Sequence, residues 1–284
     1  MASAMGETPL VWRARDVEWT LDRILVMGIV NVTPDSFTDG GKYFGEEAGT
    51  AHALRLADEG ADILDIGGES TRPGARLLDA EGEWRRIGGV IAAVARKSDV
   101  PISVDTYKPD IARKAIRAGA VIVNDIHGLQ DPEMQRVVAN SRAGAVLLHM
   151  QGEPATMNKD PRYGDVVAEV QTFLTRRMAE AMTAGVSRET IVVDPGFGFG
   201  KSPSHNAELL QRLEELRGLG RPILVGVSGK SFAPRASVGE PGRLDASLEA
   251  AAIAILRGAG IVRVHDVAGT VPFVRALDTR AQHP

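Results

Sequence analysis

The feature that most restricts this chain is a repeat: eight times, a short apolar or β-branched run ends in polar residues and a helix-like segment follows. The runs are Ile24–Asn31, Asp62–Gly67, Pro101–Asp105, Val121–Asp125, Ala145–His149, Ile191–Asp194, Pro222–Gly226 and Ile261–His265. Between them, segments such as Pro109–Ala118, Val166–Ala184, Asn206–Leu216 and Leu244–Arg257 set apolar residues at helical spacing. Gly60, Gly119, Gly185 and Gly258 stand where left-handed C-caps would end helices just before the next strand. Unbroken strand–helix alternation calls for a parallel sheet. Repeated eight times without a change in composition, it predicts one closed (β/α)8 barrel rather than an open doubly wound sheet.

Composition fits that reading. At 284 residues the chain is close to the size of a single barrel. Aromatics make up only 5% against 44% hydrophobic residues, so aliphatic side chains must fill the interior. Such a mixture suits parallel strands covered on both faces and suits a β-sandwich poorly. Ahead of the first unit, Pro9–Leu21 alternates apolar and polar residues and is expected to form a hairpin closing the barrel's bottom. Residues 1–8 are expected to be a flexible N-terminus and residues 9–280 a single barrel domain.

Several function classes drop out. The net charge is -4, and basic and acidic residues are interspersed, so no basic stripe favours nucleic acid. Cysteine is absent, which removes thiolate nucleophiles, disulfides and cysteine-based metal sites. The start lacks a signal-peptide pattern, and no apolar run approaches the ~20 residues of a membrane span. A cytoplasmic location with no membrane partner is expected.

In a barrel of this kind, chemistry belongs at the C-terminal ends of the strands. Those ends gather Asn31, Glu69, Asp105, Asn124, Asp125, His149, Asp194, Lys230, Arg263 and His265. A buried aspartate, Asp194 or Asp105, can accept paired hydrogen bonds from an amidine-like ring edge. Asn124 offers both donor and acceptor to a neighbouring ring nitrogen, and Lys230 can donate to a ring carbonyl. Arg263 and His265, two apart on one strand, face the same side and suit a phosphate or pyrophosphate. Each also has a plainer reading as a salt bridge, cap or solvated side chain near a strand end.

Two motifs fail on inspection. Gly229-Lys230-Ser231 lacks the earlier glycine of a phosphate-binding P-loop, since Leu224 stands there. Gly196-Phe197-Gly198-Phe199-Gly200 lacks dinucleotide-binding spacing. His149 and His265 have no helical zinc spacing, so a structural or anion-binding role is expected for them. His52, His205 and His283 read as surface residues. Two early loops, 31–41 and 67–74, combine Gly, Pro and polar residues and are expected to close over a reacting centre.

Taken together, these strings resemble the dihydropteroate synthase family. The resemblance is carried by Met27-Gly-Ile-Val-Asn-Val-Thr-Pro-Asp-Ser-Phe37, Asp65-Ile-Gly-Gly-Glu-Ser-Thr-Arg-Pro-Gly74, Ser103-Val-Asp-Thr106 and Asn124-Asp-Ile126. His149-Met150, Asp194-Pro-Gly-Phe-Gly-Phe-Gly-Lys201, Gly226-Val-Ser-Gly-Lys-Ser231 and Arg263-Val-His-Asp266 continue it, so it runs from about Ile24 to Val271. It implies condensation of 6-hydroxymethyl-7,8-dihydropterin pyrophosphate with p-aminobenzoate, giving 7,8-dihydropteroate and pyrophosphate.

By that resemblance, Asp105, Asn124, Asp194 and Lys230 hold the pterin, with Met150 and Phe199 lining its pocket. Asn31 is the magnesium position, acting through the pyrophosphate that Arg263 and His265 anchor. Asp35 and Phe37 fall in a first catalytic loop, and Thr71, Arg72 and Pro73 in a second. Ser231 receives the carboxylate of p-aminobenzoate. The resemblance also implies that Asp105 and Asp35 stabilise an electron-poor pterin methylene after pyrophosphate departs, with Thr71, Arg72, Lys230 and Arg263 in the catalytic set. It further implies a homodimer through the late helices around Leu244–Arg257 and Val271–Leu277.

One departure stands out. Where the family usually has Ser-Arg-Lys, this chain has Ser228-Gly229-Lys230, and the following stretch to Gly239 carries Pro234. Altered p-aminobenzoate or sulfonamide affinity is expected, with pterin binding retained and Arg235 partly compensating. Two other readings fit parts of the pattern. A corrinoid-linked methyltransferase would share the pterin contacts but would not need Thr71-Arg72-Pro73 or the Arg263–His265 anion site. A pterin-binding paralogue could have lost catalysis at Gly229.

Overall fold

The computed structural model describes residues 10–33, 42–70, 77–154, 156–157, 159–226 and 243–278. Asp35, Phe37, Thr71, Arg72, Pro73, Gly229, Lys230 and Ser231 therefore lie outside the described residues, as do residues 1–9.

Eight parallel strands form one sheet: β3 (Leu25–Asn31), β4 (Ile63–Gly67), β5 (Ile102–Asp105), β6 (Ile122–Asp125), β7 (Gly144–Leu148), β8 (Ile191–Asp194), β9 (Leu224–Gly226) and β10 (Ile261–Val264). Their order is β8-β7-β6-β5-β4-β3-β10-β9, and a parallel bridge from Val193 to Ile223 joins the two ends, so the sheet closes on itself. The surrounding helices are α1 (Lys42–Asp58), α2 (Ala80–Lys97), α3 (Pro109–Ala118), α4 (Pro132–Ser141), α5 (Val166–Thr183), α6 (Pro203–Gln211), α7 (Arg243–Leu256) and α8 (Val267–Leu277).

Local chemistry sets the helix ends. Asp79, Asp131, Asp165 and Asp266 cap α2, α4, α5 and α8 by accepting from first-turn backbone N–H groups. Gly60, Gly119, Gly185 and Gly258 all take positive φ, as the expected C-caps require. The expected helix Asn206–Leu216 is the one misjudged span. It starts earlier, at Pro203, and ends at Gln211, after which Leu213–Leu219 is a 3-10 turn. His205 is also not merely a surface residue: its backbone N–H donates to Ser202 Oγ and its ring accepts from the Ser202 N–H, a reciprocal cap on α6.

Strand alternation divides the side chains into two sets. Ile24, Val26, Val30, Leu64, Ile66, Ile102, Val104, Val123, Leu147, Val193, Val225 and Val262 pack outward in a core shared with the helices. Leu25, Met27, Ile63, Ile122, Val146, Val192, Leu224 and Ile261 point inward and fill the lower barrel. A short antiparallel hairpin, β1 (Val11–Ala14) with β2 (Val17–Thr20), stoppers that lower layer. Its Trp12 is fully buried among those inward residues, stacks on Trp19 and donates from Nε1 to Thr190 O at 3.0 Å. The bottom is thus sealed by an apolar plug, as the alternating start of the chain predicts.

Candidate active site

Two residues further along β4, β6, β8 and β10, at the same inward parity, the barrel interior changes character. Ile63 is followed by Asp65, Ile122 by Asn124, Val192 by Asp194 and Ile261 by Arg263, while β5 contributes Ser103 and Asp105. One step of the pleat replaces an apolar layer by a ring of polar groups. Asp65, Ser103, Asn124 and Asp194 are all buried there.

Arg263 organises the ring. Its Nε donates to Asp65 Oδ2 at 2.6 Å and its Nη2 to Asp105 Oδ2 at 2.7 Å. Burial alone would lower the pKa of this guanidinium, but Asp65, Asp105 and, at longer range, Asp194 raise it above its ordinary value. The charge is therefore permanent. Neither carboxylate engages Nη1, whose two N–H groups complete the planar fork suited to an oxyanion. Asn124 Nδ2 reaches the same Asp65 oxygen at 3.0 Å. At the mouth, Asn31 Nδ2 lies 3.2 Å from His265 Nε2, linking the ends of β3 and β10.

Asp194 is held by its own loop. Gly196 N–H donates to Asp194 Oδ1 at 2.7 Å, and His149 N–H donates to its backbone oxygen at 2.9 Å. This turn requires glycine: a Cβ at Gly196, whose φ is +69°, would meet His149 O at 1.9 Å. Beneath the loop sits Lys201, with 5% of its surface exposed. Its ammonium donates to Gly196 O at 2.9 Å, Phe199 O at 3.1 Å and His149 O at 3.3 Å, and meets His149 Nδ1 at 2.9 Å. Burial, then the neighbouring Lys201 charge, pushes the His149 imidazole down to about 2. It is neutral at ordinary pH and serves as an acceptor inside the wall. Of the two roles expected for His149, structural or anion-binding, this contact fits the structural one.

Beside the polar ring lies a small apolar shelf of Ile126, Leu148, Met150, Met157 and Phe199, with Tyr107 against it. Acceptors and a cation on one side and a Met- and Phe-lined shelf on the other fit a flat heterocycle carrying an anionic tail. Asp125 lies elsewhere. Its two carboxylate oxygens accept the His127 and Leu129 N–H groups, so it anchors the turn after β6.

Of the described residues that the sequence singles out, the fold brings Asp105, Asn124, Asp194 and Arg263 into one interior ring. Asn31 with His265 stands at its edge, and Met150 with Phe199 on the adjoining shelf. Asp65, Lys201 and Glu69 escaped the motif-by-motif assignment. Glu69 accepts from Lys108 Nζ at 2.7 Å, Tyr107 OH at 2.8 Å and Leu78 N at 2.8 Å, bridging residues on either side of 71–76. Asp65 was legible in one respect: a carboxylate at an inward position of an otherwise apolar strand demands a partner.

Comparisons place this geometry among known proteins. Residues 27–265 match the family model described as pterin binding enzyme. The dihydropteroate synthase of Escherichia coli K12 is 45% identical over 254 residues, covering 89% of this chain and 90% of that protein. The Xanthomonas albilineans dihydropteroate synthase with 4-aminobenzoic acid superposes with a TM-score of 0.89 at 45% identity, covering 98% of this chain and 100% of that one. The same enzyme in complex with 7,8-dihydropteroate gives a TM-score of 0.85 at 43% identity, covering 96% and 100%.

Proposed function

Since the chain belongs to the pterin-binding enzyme family and, within it, to the dihydropteroate synthases, which are transferases, we propose that its barrel mouth joins a dihydropterin pyrophosphate to p-aminobenzoate with release of pyrophosphate. The observation that carries this reading is the Asp65–Arg263–Asp105 cluster, with Asn124 and Asp194 in the same ring. It combines acceptors for an amino-substituted ring with a cationic fork for its leaving group.

In this proposal Asp194 and Asp105 accept from the pterin's N–H edges, Asn124 reads a neighbouring ring position, and Met150 and Phe199 contact the ring faces. Arg263 and His265 hold the diphosphate. Pterin, amine and anion are then brought together at one site, which lowers the entropic cost of the encounter. The aniline nitrogen is neutral near pH 7, so attack on the pterin methylene needs no strong base, and Arg263 stabilises the charge that leaves. Lys230, Ser231, Asp35, Phe37, Thr71, Arg72 and Pro73 keep the pterin, p-aminobenzoate and catalytic roles that the family resemblance gives them.

The ring's charge balance supports a magnesium requirement. Arg263 faces three carboxylates, Asp65, Asp105 and Asp194, so a diphosphate needs further positive charge nearby. Among the described residues no group of three His, Cys, Asp or Glu could hold an ion unaided. Asn31 offers a single hard amide oxygen, which suits an ion held jointly by one side chain and substrate phosphates. Magnesium bound in that way would neutralise charge on the departing diphosphate.

Further proposals are coarser. The barrel, residues 9–280, is one domain. A homodimer through α7 and α8 is supported by Ile253 and Leu256, 43% and 77% exposed on α7. A cytoplasmic setting accords with folate chemistry, and no helix among the described residues is long and apolar enough to cross a membrane. The deciding assay supplies both substrates and magnesium to the purified protein. Pyrophosphate release that depends on p-aminobenzoate is expected; release without it, or none, would contradict the proposal.

A further inference from the structure

Asp65 has no direct contact with substrate in the reading above, yet it is the carboxylate that binds the site together. It is fully buried, and its Oδ2 alone receives both Arg263 Nε and Asn124 Nδ2. An ionised carboxylate only accepts. Asn124 must therefore turn its NH2 group toward Asp65, and its carbonyl oxygen is forced to the opposite side. Asn124 is 3% exposed, and among the described residues nothing donates to its Oδ1. Buried acceptors left unpaired are few in native proteins, because desolvation without a partner is costly. Asp65 Oδ1 and Ser103 Oγ in the same ring are likewise unpaired among the described residues; the Asn124 oxygen belongs to the residue assigned to the ring edge, and a ligand donor would satisfy it.

We propose that Asp65 is a positioning residue that fixes the amide of Asn124 with its oxygen toward the ligand, so that the ring atom facing that oxygen must carry an N–H. The inference rests on the pterin site proposed above and deepens it. Asp65 also holds Arg263, so one oxygen sets both the ring-reading amide and the cation assigned to the diphosphate. The simpler role, a counter-ion for Arg263, would leave the orientation of Asn124 unconstrained.

The test makes this hydrogen bond depend on a proton. The groups around the pair are Arg263 from β10, Ser103 and Asp105 from β5, and Asp194 from β8; all are retained. Binding of 6-hydroxymethyl-7,8-dihydropterin is measured by calorimetry near pH 5.5 and pH 8.5 for the wild type and Asn124→Asp. In the variant two facing carboxylates share a proton at low pH. That proton points toward Asp65 and leaves an acceptor toward the ligand; at high pH it is lost and the two carboxylates repel each other out of register. Relative to wild type at each pH, affinity should be within about threefold near pH 5.5 and at least about tenfold weaker near pH 8.5. A pH-independent ratio overturns the inference.

A second measurement needs no variant. In the ligand-free wild type, the Asn124 side-chain NH2 protons should exchange slowly with solvent; exchange as fast as that of an exposed amide also overturns it. If the wild type itself fails to bind the pterin, the proposed function falls, and the inference with it. Wild-type binding combined with either contrary result removes the inference alone.

Discussion

The lower and upper halves of the barrel interior are built by the same strands, at the same inward parity, two residues apart, and they behave oppositely. Below, Leu25, Met27, Ile63, Ile122, Val146, Val192, Leu224 and Ile261 interlock under Trp12. Above, Asp65, Ser103, Asp105, Asn124, Asp194 and Arg263 occupy equivalent or adjacent inward positions. The lower layer gains free energy by leaving water, at roughly 25 cal/mol per Å² of apolar surface. The upper layer loses hydration and recovers it only through mutual hydrogen bonds and ion pairs. The difference teaches that, inside the barrel, the apolar packing that stabilises the fold and the polar groups that can read a ligand are separated along the axis.

The sharpest way to break that comparison is Arg263→Ala. It leaves Asp65, which is wholly buried, without its cation, and unfolding free energy should fall by about 3–5 kcal/mol in urea titrations. Loss of turnover with unchanged stability would mean that the upper layer is not self-balanced. Next comes Trp12→Ala at the plug. A stability loss of about 3 kcal/mol is expected from the cavity it leaves, with Michaelis constants for both substrates unmoved; altered constants would show the two halves to be coupled.

A third prediction concerns the wall beneath Asp194. The His149 imidazole sits at about 2 instead of its ordinary 6.5, chiefly through burial and then through Lys201. Because the folded value is the lower one, the unfolded chain takes up the proton first as pH falls. The corresponding stability is fully present above pH 6.5 and drains away below it, by about 1.4 kcal/mol per pH unit. His149→Asn keeps an acceptor for Lys201 but does not titrate. Between pH 6.5 and 5 the wild type should lose about 2 kcal/mol more than this variant, and parallel curves would contradict a buried neutral His149. The smallest effect is expected at Gly229→Arg, a roughly few-fold change in the p-aminobenzoate Michaelis constant or in sulfonamide inhibition, by gain of a charge-assisted contact. No change in either would remove Gly229 as a determinant of affinity.

How much of this could be read from the chain differs between the same two regions. The lower layer and its plug were legible, because inward apolar residues at alternate positions and an alternating Pro9–Leu21 follow directly from strand periodicity. The helix stops at Gly60, Gly119, Gly185 and Gly258 were legible for a similar local reason: only glycine takes those φ values cheaply. Rim residues at strand ends were legible as a set. Their pairing was not. Asp65 and Arg263 are far apart in sequence, and only barrel closure between β3, β4 and β10 brings them within 2.6 Å. Lys201 was hidden for the opposite reason. It lies within a quoted motif but acts behind the wall, on carbonyl oxygens whose direction depends on the positive-φ glycines before it. The overlong Asn206–Leu216 helix shows the limit of periodicity alone, which cannot separate an α-helix from the 3-10 turn that continues it.

The central claim is that the polar upper layer, and not the apolar plug or the helix shell, is where substrate is held. Pyrophosphate release by Asp194→Ala, with both substrates and magnesium supplied, tests it most directly. A fall in kcat/KM of about a hundredfold is predicted, the loss expected for one charged hydrogen-bonding group in a buried site, in protein whose thermal unfolding remains cooperative. Turnover equal to the wild type would contradict it.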